Sequence, residues 1–135
     1  MIKALDIQLR FSDIDSMGHV NNAVYLHYFE TARMHFFADL LGRDWNWEKD
    51  GIILLRNEVD YVKPLLLTQD ASVYVGVVHI GTKSFSLNYS IEVDGEVYCK
   101  GVSVLVAFDY HRGSSVLIPE KMRSVLMKVK EEQDL

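Results

Sequence analysis

Leu5-Asp6-Ile7-Gln8-Leu9-Arg10-Phe11 alternates apolar and polar side chains at every step, the period-2 pattern of a strand with one buried face. Ser12 to Gly18 breaks that rhythm with turn-forming Ser, Asp and Gly. From about Asn22 to Leu41 the period lengthens. Tyr25, Tyr28, Phe29, Ala32, Phe36 and Leu40 recur at helical spacing. Val24, Leu26, Met34 and Phe37 widen that stripe, so the helix is expected to be buried on more than one side, with Gly42 as its stop. Arg43 to Asp50, carrying Trp45 and Trp47, reads as a connection.

Four further strands are predicted. Ile52 to Val62 ends before Lys63-Pro64, and the valine-rich run Ala71 to Ile80 turns at Gly81. Ser84 to Val93 is the cleanest alternation, with Phe85, Leu87, Tyr89, Ile91 and Val93 on one face. Asp94-Gly95 is a strong hairpin signal leading into Glu96 to Phe108. Gly101 inside that last strand suggests a bulge or bend. Pro119 fits the first position of a short closing helix, with Met122, Val125, Leu126 and Val129 as its apolar face. The order strand, long helix, four strands, short helix contains no βαβ alternation, repeat or low-complexity linker. The expected fold is therefore α+β, an antiparallel five-stranded sheet packed around one central helix, as a single domain over residues 1–135.

Composition narrows the function classes. The formal net charge of -5 argues against nucleic acid as the main partner, because phosphate binding needs a basic face. The single Cys99 excludes an intrachain disulfide and fits a reducing compartment. No signal-type segment opens the chain, and no apolar run approaches the roughly 18–20 residues that span a bilayer. A cytoplasmic protein without a membrane partner is expected.

Familiar catalytic motifs are absent. Neither nucleotide-binding glycine fingerprint occurs. Gly101-Val102-Ser103-Val104-Leu105 is one residue short of a nucleophile elbow and lies within a strand. His19, His27 and His35 recur every eight residues, which spreads them by roughly 80° per step on a helix. No metal site is expected, His27 and His35 read as surface residues, and Cys99 reads as a small core residue. Glu30 and Arg33 are spaced for an i,i+3 ion pair.

What remains is a cluster of Asp13, Asp15, His19, Asn21 and Asn22 at the mouth of the long helix. Asp and Asn are common helix caps, so capping alone accounts for such a cluster. A helix start also offers unpaired N–H groups and a partial positive charge, able to hold a carbonyl oxygen that is becoming an anion. A carboxylate facing a carbonyl so polarised supplies the two parts that acyl hydrolysis requires.

The run Phe11-Ser12-Asp13-Ile14-Asp15-Ser16-Met17-Gly18-His19-Val20-Asn21-Asn22-Ala23-Val24-Tyr25-Leu26 resembles the signature of hotdog-fold acyl-CoA thioesterases of the 4-hydroxybenzoyl-CoA thioesterase-like family. Glu58 to Leu65, Gly81 to Phe85, Val104 to Asp109 and Ile118-Pro119 extend the likeness in order along the chain. The resemblance implies a sheet wrapped around the central helix, pairing into a homodimer or homotetramer with sites at the subunit boundary. It also implies hydrolysis of acyl-CoA thioesters with no cofactor, coenzyme A being part of the substrate.

By the same resemblance Asp15 is the catalytic carboxylate, as nucleophile or as general base. The amide of Asn22 would polarise the thioester carbonyl, and His19 and Asn21 would orient Asp15, water or substrate. Glu58, Tyr61, Lys83 and Ser84 become candidates for binding the substrate. An Asp of ordinary pKa, about 3.9, is ionised at neutral pH. Asn22 stands where the hydroxybenzoyl branch tends to carry an aromatic or His, which favours a long-chain or general acyl-CoA. Two other readings share the pattern: a hydratase or dehydratase of the same fold that relies on His19, and a non-catalytic acyl-CoA-binding module.

Overall fold

The computed structural model describes residues 1–135. Strand β1 (Ile2–Ile7) leads through a short 3-10 turn at Phe11–Asp13 to helix α1 (Val24–Leu41). Strands β2 (Gly51–Tyr61), β3 (Ala71–Ile80), β4 (Ser84–Val93) and β5 (Glu96–Asp109) follow. A two-residue strand β6 (Ser114–Ser115) and helix α2 (Glu120–Gln133) close the chain. The sheet is antiparallel throughout with strand order β1-β3-β4-β5-β2, and β6 adds a short pairing to β5. The α+β architecture expected from the pattern is the one observed.

Alternation decides which face of the sheet meets α1. Phe85, Leu87, Tyr89 and Ile91 of β4 are buried, and they pair with Leu105, Ser103, Gly101 and Cys99 of β5. Tyr25, Phe29, Ala32, Phe36 and Phe37 of α1 pack onto that face. Phe29 stacks on Tyr89 with ring centroids 4.6 Å apart, and Phe37 meets Phe85 edge-on at 5.9 Å. Leu26 and Met34 remain exposed on one flank of the helix, so burial is less complete than the apolar pattern suggests.

Several local expectations are refined. Strand β1 ends at Ile7 rather than Phe11, because its ladder ends where Ile7 pairs with Ala71, the first residue of β3. Phe11 is 84% exposed. Gly101 lies in unbroken register between Val59 and Tyr89 and makes no bulge. Its missing Cβ is what admits Phe29, whose ring atoms would lie 2.4 and 2.7 Å from a methyl there. Asp94 and Gly95 both take positive φ (50° and 79°), the two-residue turn that the hairpin signal predicts. Pro119 caps α2 instead of opening it. Arg33 makes no pair with Glu30: it is 7% exposed and donates to the Tyr89 hydroxyl at 3.0 Å.

Helix α2 buries Met122, Leu126 and Val129 and also finishes the sheet. Register puts β1 no further along β3 than Val75, which leaves the next backbone groups bare. The Gln133 side chain supplies them, accepting from the Val77 N–H (2.8 Å) and donating to its carbonyl (3.0 Å). A side-chain amide thus replaces the missing strand at that edge.

Candidate active site

The loop between β1 and α1 folds back on itself as a miniature hairpin. The Asn21 N–H donates to the Asp13 carbonyl and the Asp15 N–H to the His19 carbonyl, both at 2.8 Å. Gly18, at φ 81°, turns the chain between them. This hairpin is fastened on two sides. The Val20 N–H donates to the Leu65 carbonyl at 2.9 Å, and the buried Asp13 carboxylate receives the Tyr28 hydroxyl at 2.8 Å and the Arg10 N–H at 3.1 Å. Asp13 therefore ties the loop to the helix and is not free for chemistry. Burial, followed by its bond to that carboxylate, pushes the Tyr28 phenol well above the ordinary tyrosine range.

Asp15 occupies the tip. Its Oδ1 accepts from the N–H groups of Met17 (2.9 Å) and His19 (3.3 Å), while Oδ2 has no partner in the chain. The side chain is exposed in the single chain. The larger hollows lie elsewhere: one of about 610 Å³ between β1 and α1 reaches Asp13 and Tyr28, and one of about 630 Å³ lies near Trp47 and Ile52. Asp15 thus stands on an open shelf, with no enclosing cleft supplied by its own chain.

The mouth of α1 lies next in sequence. Asn21 turns the chain into it, its Oδ1 accepting from the N–H of Ala23, the N-cap residue, and its carbonyl from the Val24 N–H, both at 2.9 Å. The N–H groups of Asn22 and Tyr25 donate to no acceptor in the chain, the unpaired donors that a helix start provides. Tyr61 reaches across from the end of β2 to donate to the Asn22 carbonyl at 2.8 Å. Its ring meets Tyr25 edge-on at 5.1 Å. Tyr25 in turn accepts from the Leu65 N–H at 3.2 Å, so two phenols brace the helix start against the sheet. Burial raises the pKa of both.

Of the residues singled out from sequence, Asp15, His19, Asn21, Asn22 and Tyr61 come together here. Glu58 projects from the opposite face of β2 and pairs with Arg56. Lys83 and Ser84 sit at the turn between β3 and β4, where Ser84 pairs with Val106 while Tyr61 pairs with Cys99. Seven residues of β5 separate those levels, roughly 23 Å at the rise of a strand. One chain does not bring Lys83 and Ser84 to Asp15.

Two polar pairs escaped the sequence reading. Ser103, fully buried, donates to the side-chain Oδ1 of Asn57 at 2.6 Å, and Arg33 donates to Tyr89. Both had a signal. Ser103 falls in phase with Cys99, Gly101 and Leu105, and Arg33 falls in the i+4 row Tyr25, Phe29, Phe37. Cys99 is buried as expected, and that burial pushes its thiol up to about 12. No three His, Cys, Asp or Glu side chains converge as metal ligands, and no helix is long and apolar enough to cross a membrane.

Residues 9–126 match the thioesterase-like superfamily. The chain belongs to that superfamily. Its fold is the hotdog fold of solved thioesterases, and membership supports thioester hydrolysis as the reaction class. It is similar to a thioesterase from Thermus thermophilus solved with coenzyme A and zinc, at 35% identity over 94% of this chain and 92% of that one, with a TM-score of 0.83. A predicted thioesterase from Bacillus stearothermophilus is 32% identical over 93% and 94% of the two chains, with a TM-score of 0.84. The Bacillus subtilis (strain 168) protein YsmA is 26% identical over 90% of this chain and 82% of its own.

Proposed function

We propose that the protein hydrolyses acyl-CoA thioesters, with Asp15 acting on the thioester carbon. One observation carries this reading. Asp15 holds one carboxylate oxygen against two backbone amides and keeps the other free, beside a helix start with two unpaired N–H donors. The free oxygen either attacks the acyl carbon, expelling the CoA thiolate and leaving an anhydride for water to cleave, or removes a proton from an attacking water. The Asn22 and Tyr25 amides, braced through Tyr61, receive the negative charge that develops on the carbonyl oxygen. His19 and Asn21 fix the loop that carries Asp15.

The missing wall of the site comes from a second copy of the chain. The exposure of Asp15 supports this, as does the long edge strand β2, with Leu54 and Leu55 exposed and no partner beyond it. Lys83 and Ser84 then reach the substrate from the partner, and Glu58 lies near the boundary. Acyl-CoA as substrate draws support from the coenzyme A complex of the Thermus thermophilus relative. The assay is thiol release from acyl-CoAs across short, long and aromatic acyl groups. Wild type is expected to turn over, and Asp15→Asn to lose about 10²- to 10⁴-fold in kcat, the span of a positioned base. Full activity in Asp15→Asn overturns the assignment.

A further inference from the structure

The hollow beside Trp47 is built as a binding pocket, yet it lies far from Asp15 of its own chain. It measures about 630 Å³ and is lined by Met34, Trp47, Glu48, Ile52, Tyr110 and His111. Small-molecule sites span roughly 300–1,000 Å³. Its walls are held in place. Trp47 meets the buried Phe37 edge-on at 5.6 Å. The Tyr110 ring lies over Gly51, where a methyl would approach it to 2.7 Å. The Tyr110 hydroxyl donates to the Ile52 carbonyl at 3.0 Å and its N–H to the Glu48 carbonyl at 2.8 Å. The only charged groups, Glu48 and His111, have exposed side chains at the rim and pair with each other at 3.2 Å.

Within one chain this hollow cannot serve Asp15. Tyr61 marks the helix-start end of β2 through its bond to the Asn22 carbonyl, whereas Met34 and Ile52 share the hollow at the other end. Ile52 and Tyr61 are nine residues apart, roughly 30 Å at the rise of a strand.

A two-fold axis exchanges those ends. A strand paired with its own copy about such an axis is antiparallel. Full overlap of the eleven residues of β2 centres the pairing on Arg56. Gly51 then lies across from the partner's Tyr61, and Ile52 across from the partner's Asp60, with the strands about 4.8 Å apart. The same rotation turns the exposed Met34 toward the partner's Leu26, the other large apolar residue left bare on that flank of α1. Ser84 is level with Ile53, since both pair with Val106, so the turn carrying Lys83 arrives at the same place.

We infer that each hollow receives the acyl group of the thioester held at the partner's Asp15, and that this group is an uncharged, apolar chain of medium length. This rests on the thioesterase reading and names the substrate class of the same site. Trp47 and Tyr110 supply aromatic surface and Met34 an adaptable side chain.

The test compares kcat/KM for octanoyl-CoA and acetyl-CoA. Wild type is expected to favour octanoyl-CoA by about a hundredfold, which burial of roughly three to four methylenes supplies. Met34→Trp, a change at a half-exposed position that fills the hollow, is expected to cut that preference about tenfold, chiefly through KM. Co-expression of Asp15→Asn with Met34→Trp then asks which chain each hollow serves. Random assortment makes about half the pairs hybrid, each with one site that joins an intact Asp15 to an intact hollow, so about a quarter of all sites are wild type. Octanoyl-CoA turnover by the mixture is therefore expected to exceed the average of the two variants severalfold. A mixture that only matches that average overturns the inference, because no hollow then serves a partner's acid. Equal turnover of the two substrates by wild type also overturns it and leaves the thioesterase reading intact. Thiol release from neither overturns both.

Discussion

Removing one oxygen from Tyr28 tests how the loop that carries Asp15 is held. In Tyr28→Phe the Asp13 carboxylate, 5% exposed, loses its shortest hydrogen bond. What remains is the Arg10 N–H at 3.1 Å and the Arg10 guanidinium at 3.8 Å. A hydrogen bond to a charged group contributes about 1.5–3 kcal/mol. The aromatic ring is retained, so no cavity adds to the cost, and about 2 kcal/mol is expected. For a chain of this length that lowers Tm by roughly 6–10 °C. Melting is to be compared at one protein concentration, since assembly also shifts Tm. A cycle with Asp13→Ala isolates the pair: the double variant is expected to melt well above the sum of the single losses, with a coupling of about 1.5 kcal/mol. Because the Asp13 carbonyl also receives the Asn21 N–H, Tyr28→Phe should lower kcat as well. A melt within about 1 °C of wild type, or additive losses, would refute the idea that the phenol anchors this loop.

Other predictions are simpler to read. Gly101→Ala places a methyl 2.4 Å from the Phe29 ring, and that ring is backed by Tyr89. A loss of about 1–3 kcal/mol is expected, largely restored by adding Phe29→Leu, and a stable single variant would show the close approach to be dispensable. Burial holds the Cys99 thiol protonated up to about 12, whereas an unfolded thiol ionises near 8.5. Between those values the unfolded chain binds fewer protons, so this contribution to stability is full below about pH 8.5 and is lost as pH rises, by about 1.4 kcal/mol per unit. At pH 8 a thiol reagent should label native protein only as fast as it unfolds; prompt labelling would contradict the burial.

The frame of this molecule was legible in its periodicity. Long alternating runs give β3, β4 and β5 almost to the residue, and the 3.6-residue stripe gives α1. Boundaries that depend on tertiary pairing were not: β1 ends where β3 begins, which no local pattern encodes. Gly101 was legible as unusual, but its cause lay in Phe29, far away in the chain. At the site, the crowding of Asp15, His19, Asn21 and Asn22 before the helix was plain. Which acid is committed to structure was not, because the bond that buries Asp13 against the helix comes from the Tyr28 hydroxyl fifteen positions on. The spacing of Arg33 from Glu30 suggests an ion pair, although its place in the apolar row points into the core.

The two margins of the sheet are finished differently. At one, a six-residue strand with a register slip between Lys3 and Leu5 gives way to a glutamine that plugs the ladder beyond it. At the other, eleven residues of β2 stand bare on one side. In the proposed assembly through β2, a ribbon with one blunted and one open border would join one twin and be complete, whereas two open borders would propagate into fibres. The last turn of α2 is in that sense a stop signal for growth, written some seventy positions away from the border it leaves open.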